Sequence, residues 1–83
     1  MDMLRVLGPN MTEVDKGDAV VFFSYNTPVA AFVPGNGYIK TAEKFSVTTS
    51  RHVNRWLGNE QFGTQISATT LPAEEFKAML DSL

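Results

Sequence analysis

The run Ala19-Val-Val-Phe-Phe-Ser-Tyr25 constrains this chain more than any other segment. Its β-branched and aromatic residues follow one another without polar alternation, and the run is short. That combination describes a strand covered on both faces, the central strand of a sheet. Asn26-Thr27-Pro28 then interrupts the run. Proline cannot donate to a strand ladder, so Pro28 belongs at a turn or at the first residue of the next strand, residues 29–33. Pro34-Gly-Asn-Gly37 is hairpin chemistry, because glycine and asparagine supply the positive φ that tight primed turns demand. Residues 38–40 return as a further strand. Upstream, residues 4–7 form a short edge strand closed by Gly8-Pro9-Asn10, while residues 12–18 are polar, end in Lys-Gly-Asp and read as a connection.

The second half is different in kind. Thr48, Thr49 and Ser50 are N-cap candidates, and Val53, Trp56 and Leu57 follow at i, i+3, i+4, one apolar face of a two-turn helix ending near Gly58-Asn59. Residues 65–70 read as a last strand with Ile66 and Ala68 facing one way. Pro72 suits the first position of a C-terminal helix. Glu74 and Glu75 complement its dipole, and Phe76, Met79, Leu80 and Leu83 trace its apolar stripe. The expected fold is α+β: a small antiparallel sheet of four to five strands packed on two short helices, in one domain spanning residues 1–83.

Composition works mostly by exclusion. A chain of 83 residues buries only about 60–65% of the surface its unfolded form exposes, so the core is thin. There is no cysteine, which removes disulfides, thiolate metal sites and thiol nucleophiles. No apolar run approaches the roughly 18–20 residues of a membrane helix, and the N-terminus lacks the layout of a secretory signal. A soluble, unprocessed protein of the cytoplasm is expected, with no membrane association.

The net charge is −2, unfavourable for a general polyanion binder, yet the charges are segregated. Both flanks are acidic. Between them Lys40, Lys44, Arg51 and Arg55 stand against Glu43 alone, so positive potential concentrates on residues 38–57. The same stretch holds the only histidine, His52, and the only tryptophan, Trp56. With Thr49 or Ser50 as cap, Arg51 and His52 would occupy the first helical turn, where the dipole disfavours cations by roughly 0.3–1 kcal/mol. Arg51 and Arg55 are also like charges at i, i+4. Local costs gathered in one place point to binding, and the parts suit an anion: helix-start N–H groups, hydroxyls, guanidinium groups and an imidazole. Thr48, Thr49, Ser50, Arg51, His52 and Arg55, with Lys40 and Lys44, are therefore the candidate site, and phosphate is its natural ligand. Tyr38, Phe45 and Trp56 add faces on which bases stack.

A plainer reading stands beside this one. Trp56 shares a face with Val53 and Leu57, which makes it core. Arg51 and Arg55 would pair with Glu43, Glu60 or a distant acid, and His52 would be a structural hydrogen-bonder. One histidine without cysteines does not make a zinc site. Enzyme chemistry finds less support still. Ser50 and His52 lie two apart and do not face each other on a helix. Gly35-Asn-Gly37 lacks the rest of either nucleotide fingerprint. The expectation is a non-enzymatic protein without metal or cofactor.

Ser24-Tyr-Asn-Thr-Pro-Val-Ala30, then Gly37-Tyr-Ile-Lys-Thr41, then Phe45-Ser-Val-Thr-Thr-Ser-Arg-His-Val-Asn-Arg-Trp-Leu57 resemble a family of small uncharacterised proteins found largely in phages and prophages. The resemblance covers about residues 19–57. It singles out Tyr25, Thr27, Pro28, Thr48, Thr49, His52, Asn54 and Trp56, and implies a phage-type accessory protein acting inside an infected cell. Two functions follow as expectations. One is recognition of nucleic-acid or nucleotide phosphate through the basic, hydroxyl-capped helix. The other is direct binding to a host protein, as an anti-defence factor does. A homodimer through the edge of a thin sheet is a further expectation.

Overall fold

A computed structural model describes residues 3–59, 64–65 and 67–83. A six-stranded sheet runs in the order β1 (Met3–Gly8), β2 (Met11–Asp15), β3 (Val20–Ser24), β4 (Thr27–Val33), β5 (Gly37–Thr41), β8 (Thr69–Leu71). The helices are α1 (Val47–Leu57) and α2 (Ala73–Asp81), and a small ribbon pairs β6 (Gly58–Asn59) with β7 (Thr64–Gln65). The class is α+β. The sheet departs from expectation in two ways: it has six strands, and it is mixed, because β8 lies parallel to β5.

The extra strand is β2, in a segment whose polarity reads as connection. Met11, Glu13 and Asp15 share one face of β2, and the register sets them opposite Ser24, Phe22 and Val20 of β3. A carboxylate thus stands where alternation would place an apolar residue. It is tolerated because Trp56, 43 residues away, donates its indole N–H to Glu13 Oε1 at 2.9 Å, and Arg5 on β1 pairs with Oε2 at 3.0 Å. Pairings of such sequence separation leave no local trace.

The run at residues 19–25 is the middle of the sheet, with Val21, Phe22 and Ser24 buried. Two residues of β4 oppose one of β3 where the register slips between Phe22 and Phe23. This bulge lets neighbouring Val29 and Ala30 both join the core cluster with Met11 and Phe22. Pro28 sits in β4 beside that slip, where a missing N–H costs the ladder least. In the turn from β4 to β5, Gly35 and Gly37 carry the positive φ, and Asn36 donates its N–H to the Val33 carbonyl.

Helix α1 covers the Phe22 face. Thr49, His52, Val53, Trp56 and Leu57 recur at i, i+3, i+4, i+7, i+8 and are its buried and half-buried residues. Its cap is Ser46, earlier than expected: Ser46 Oγ accepts the Thr49 N–H at 3.1 Å. Arg51 therefore lies mid-helix and Arg55 in the last turn, where a cation complements the dipole, so the expected dipole cost does not arise. Across the sheet, Val21, Ala31 and Ile39 form a buried row. Helix α2, which contacts β5 and buries Phe76, is placed to cover it. Pro72 is the N-cap of α2 and not its first residue, and Leu83 lies beyond its end. Residues 65–70 are not one strand: Gln65 belongs to the ribbon, β8 begins at Thr69, and Ile66 lies outside the described residues.

Candidate functional site

The expected site divides between the two flanks of α1. At about 100° per residue, Thr48, Arg51, His52 and Arg55 fall within about 100° of one another. These four line an open hollow of about 390 Å³. Thr49, Ser50, Val53 and Asn54 centre on the opposite flank, about 180° away. There they line a second hollow of about 380 Å³ with Lys40, Lys44, Glu43 and Thr70. Lys40 and Lys44 therefore do not converge with the arginines, as the clustering of charge along the sequence suggests. The helix body stands between them.

The first hollow has a defined back wall. Thr49 is buried, and its Oγ1 accepts from Ser24 Oγ at 3.1 Å and from Ser46 Oγ at 3.3 Å. Ser24 Oγ also lies 2.8 Å from His52 Nδ1. With Ser24 donating to Thr49, the donor in that last bond is His52 Nδ1–H. The imidazole is thus held from behind by a chain of hydroxyls. Its Nε2 accepts when the ring is neutral and donates when it is protonated. Arg51 and Arg55 are exposed and make no ion pair among the described residues. Of their expected partners, Glu43 lines the other hollow and Glu60 lies outside the described residues.

Ser24 is the residue that local reading missed. Its hydroxyl lies 2.8 Å from the imidazole, but Nδ1–H is the donor in that bond, so the ring takes no proton from Ser24 and the pair is not a nucleophile and its base. Ser24 is also only 1% exposed and already donates to Thr49. Its effect is to orient His52.

Tyr25, the next residue, brings a second contribution. It turns the chain from β3 to β4 at φ 58°, a left-handed conformation rare for a bulky side chain, and is 49% exposed. Its N–H donates to the Asn10 carbonyl at 2.8 Å, and its ring centre lies 5.9 Å from that of His52. The segments Ser24-Tyr25 and Ser46 to Trp56 therefore meet in space, although about 20 residues separate them. The turn conformation carries a cost that asparagine would largely avoid. Tyr25→Asn is expected to leave the midpoint of thermal unfolding unchanged or raised, and to weaken ligand binding at the hollow. A fall in stability with unchanged binding would make Tyr25 a packing residue only.

Among the described residues no group of His, Cys, Asp and Glu is placed to hold a metal ion, and no helix is long and apolar enough to cross a membrane. No curated protein and no solved structure matches the chain. A family model does match, over residues 4–71, a span that runs from β1 through β8. The chain belongs to that family, described as a family of unknown function (DUF8033).

Proposed function

We propose that this protein is a non-enzymatic binding module that recognises phosphate groups of a nucleic acid or nucleotide through Thr48, Arg51, His52 and Arg55. The observation that carries this reading is the composition of their hollow: two guanidinium groups, an imidazole and a hydroxyl, with no acid among the described residues that line it. A guanidinium binds a phosphate through two parallel N–H groups, and no acid among the described residues forms an ion pair with either arginine. Tyr25, exposed beside His52, offers a ring on which a base can stack. The resemblance to phage and prophage proteins supports a setting inside an infected cell.

Arg51→Ala combined with Arg55→Ala is expected to abolish binding to a single-stranded oligonucleotide in a gel-shift assay. Both residues are exposed, so unfolding free energy should change by no more than about 0.5 kcal/mol. Two phosphate contacts on a single strand imply a roughly sevenfold loss of affinity between 50 and 200 mM salt. Absence of wild-type binding to single strands, duplexes and mononucleotides at low salt would sink the reading.

A second reading, binding to a host protein or to a second copy of the chain, draws on β1. This edge strand exposes Met3, Leu4, Val6 and Leu7, with Leu4 at 65% and Val6 at 73%, beside an open row of backbone groups. Salt separates the two. Association through that edge would weaken little as salt rises.

A further inference from the structure

Helix α1 ends before the sheet does. Trp56, in its last turn, lies on the row formed by Glu13 and Phe22. The next row, Val20, Phe32 and Tyr38 in register across β3, β4 and β5, is only half-buried. Between that row and the helix end is a hollow of about 200 Å³ lined by Glu13, Val20, Phe32, Tyr38 and Trp56. Among the described residues it shares none with the phosphate-type hollow.

We propose that this hollow is a cage for a quaternary or methylated ammonium group. Its walls are three rings in different planes. Tyr38 meets Trp56 edge to face at 5.6 Å and 70°, and Phe32 lies tilted against Tyr38 at 4.8 Å and 57°. All three aromatic residues line the one hollow together with Glu13, and aromatic walls are what proteins use to hold cations that cannot hydrogen-bond. The wall also carries charge. Glu13 belongs to a cluster with Arg5 and Asp15, in which two carboxylates face one guanidinium, leaving a negative charge beside the rings.

The state of Glu13 selects the kind of cation. Oε1 takes the Trp56 N–H and Oε2 takes Arg5, so a primary ammonium or a guanidinium arriving as a donor finds only the remaining lone pair of each oxygen, on a carboxylate already weakened as an acceptor. A tetraalkylammonium has no proton to place and asks only for charge and ring faces. The volume agrees, being below the roughly 300–1,000 Å³ of pockets for drug-sized ligands and suited to a single head group. Glu13 thus acquires a use beyond tying β2 to Arg5 and Trp56.

Titration of the full chain with tetramethylammonium chloride tests this, with sodium chloride exchanged to keep ionic strength constant. Trp56, the only tryptophan, reports the site by fluorescence. Saturable binding is expected with Kd of about 1 mM. Choline should bind about as tightly, its neutral isostere 3,3-dimethylbutan-1-ol at least about tenfold more weakly, and guanidinium more weakly than tetramethylammonium. Glu13→Gln keeps an acceptor for the Trp56 N–H while removing the charge, and should weaken binding about tenfold. Phe32→Leu keeps an apolar wall without a ring face, and should weaken it several-fold. The proposal is overturned by any of four results: no saturable response, equal binding of the neutral isostere, tighter binding of guanidinium, or indifference of a folded Glu13→Gln variant.

Discussion

Trp56→Ala is expected to destabilise the protein by about 3–4 kcal/mol, against a total stability of about 4–12 kcal/mol for a chain of this length. The effect is large because one side chain joins four elements. The indole stacks on Phe22 of β3 at 5.1 Å and 13°. Its edge-to-face contact with Tyr38 reaches β5. Its N–H satisfies Glu13 of β2, while the helix behind it buries Leu57. Truncation leaves a cavity between helix and sheet and strips the inward carboxylate of a donor, two costs that add. For a domain of this size the midpoint of thermal unfolding should fall by roughly 12–30 °C. Trp56→Phe separates the terms, since it keeps much of the stacking and loses the N–H. Denaturant unfolding should place it between wild type and Trp56→Ala, and a Phe variant as unstable as the Ala variant would mean the Glu13 bond dominates.

Ser24→Ala should cost about 1–3 kcal/mol, more than a lost hydroxyl on the surface, because both of its partners are turned inward. Removing Ser24 Oγ takes a donor from buried Thr49 and an acceptor from His52 Nδ1 together. The imidazole then loses the bond that fixes its rotation, so the variant should also bind phosphate ligands less tightly without touching them. A double-mutant cycle with Thr49→Val is the decisive measurement. Coupling of at least about 0.5 kcal/mol is expected for residues in one hydrogen-bond network, and additivity would show that Ser24 and Thr49 act independently.

These residues also mark how far the fold and site were legible along the chain. The strand at residues 20–24, the glycine turn after β4, and the apolar faces of α1 and α2 follow from short-range signals: an apolar run, positive φ and 3.6-residue spacing, whereas the cap of α1 is Ser46 and not Thr48, Thr49 or Ser50. The missed strand β2 and the missed Ser24 share one cause. Glu13 looks like a loop residue until Trp56 supplies its donor, and Ser24 looks like filler in an apolar strand until Thr49 and His52 pack onto it. Parallel β8 was hidden for a related reason. Its pairing with β5 spans about 30 residues and rests on three residues of weak apolar character.

The site divides along the same line. That Arg51 and Arg55 share a helix face with Thr48 and His52 is a property of spacing, and the sequence alone determined it. That Lys40 and Lys44 belong to the opposite flank, that Thr49 is spent on internal hydrogen bonds, and that Tyr25 joins His52 were decided only by tertiary structure. Local periodicity specifies which side chains of one element point together. Which elements those side chains meet depends on burial and on the pairing of polar groups across long stretches of chain, quantities that exist only once the helix is seated on the sheet.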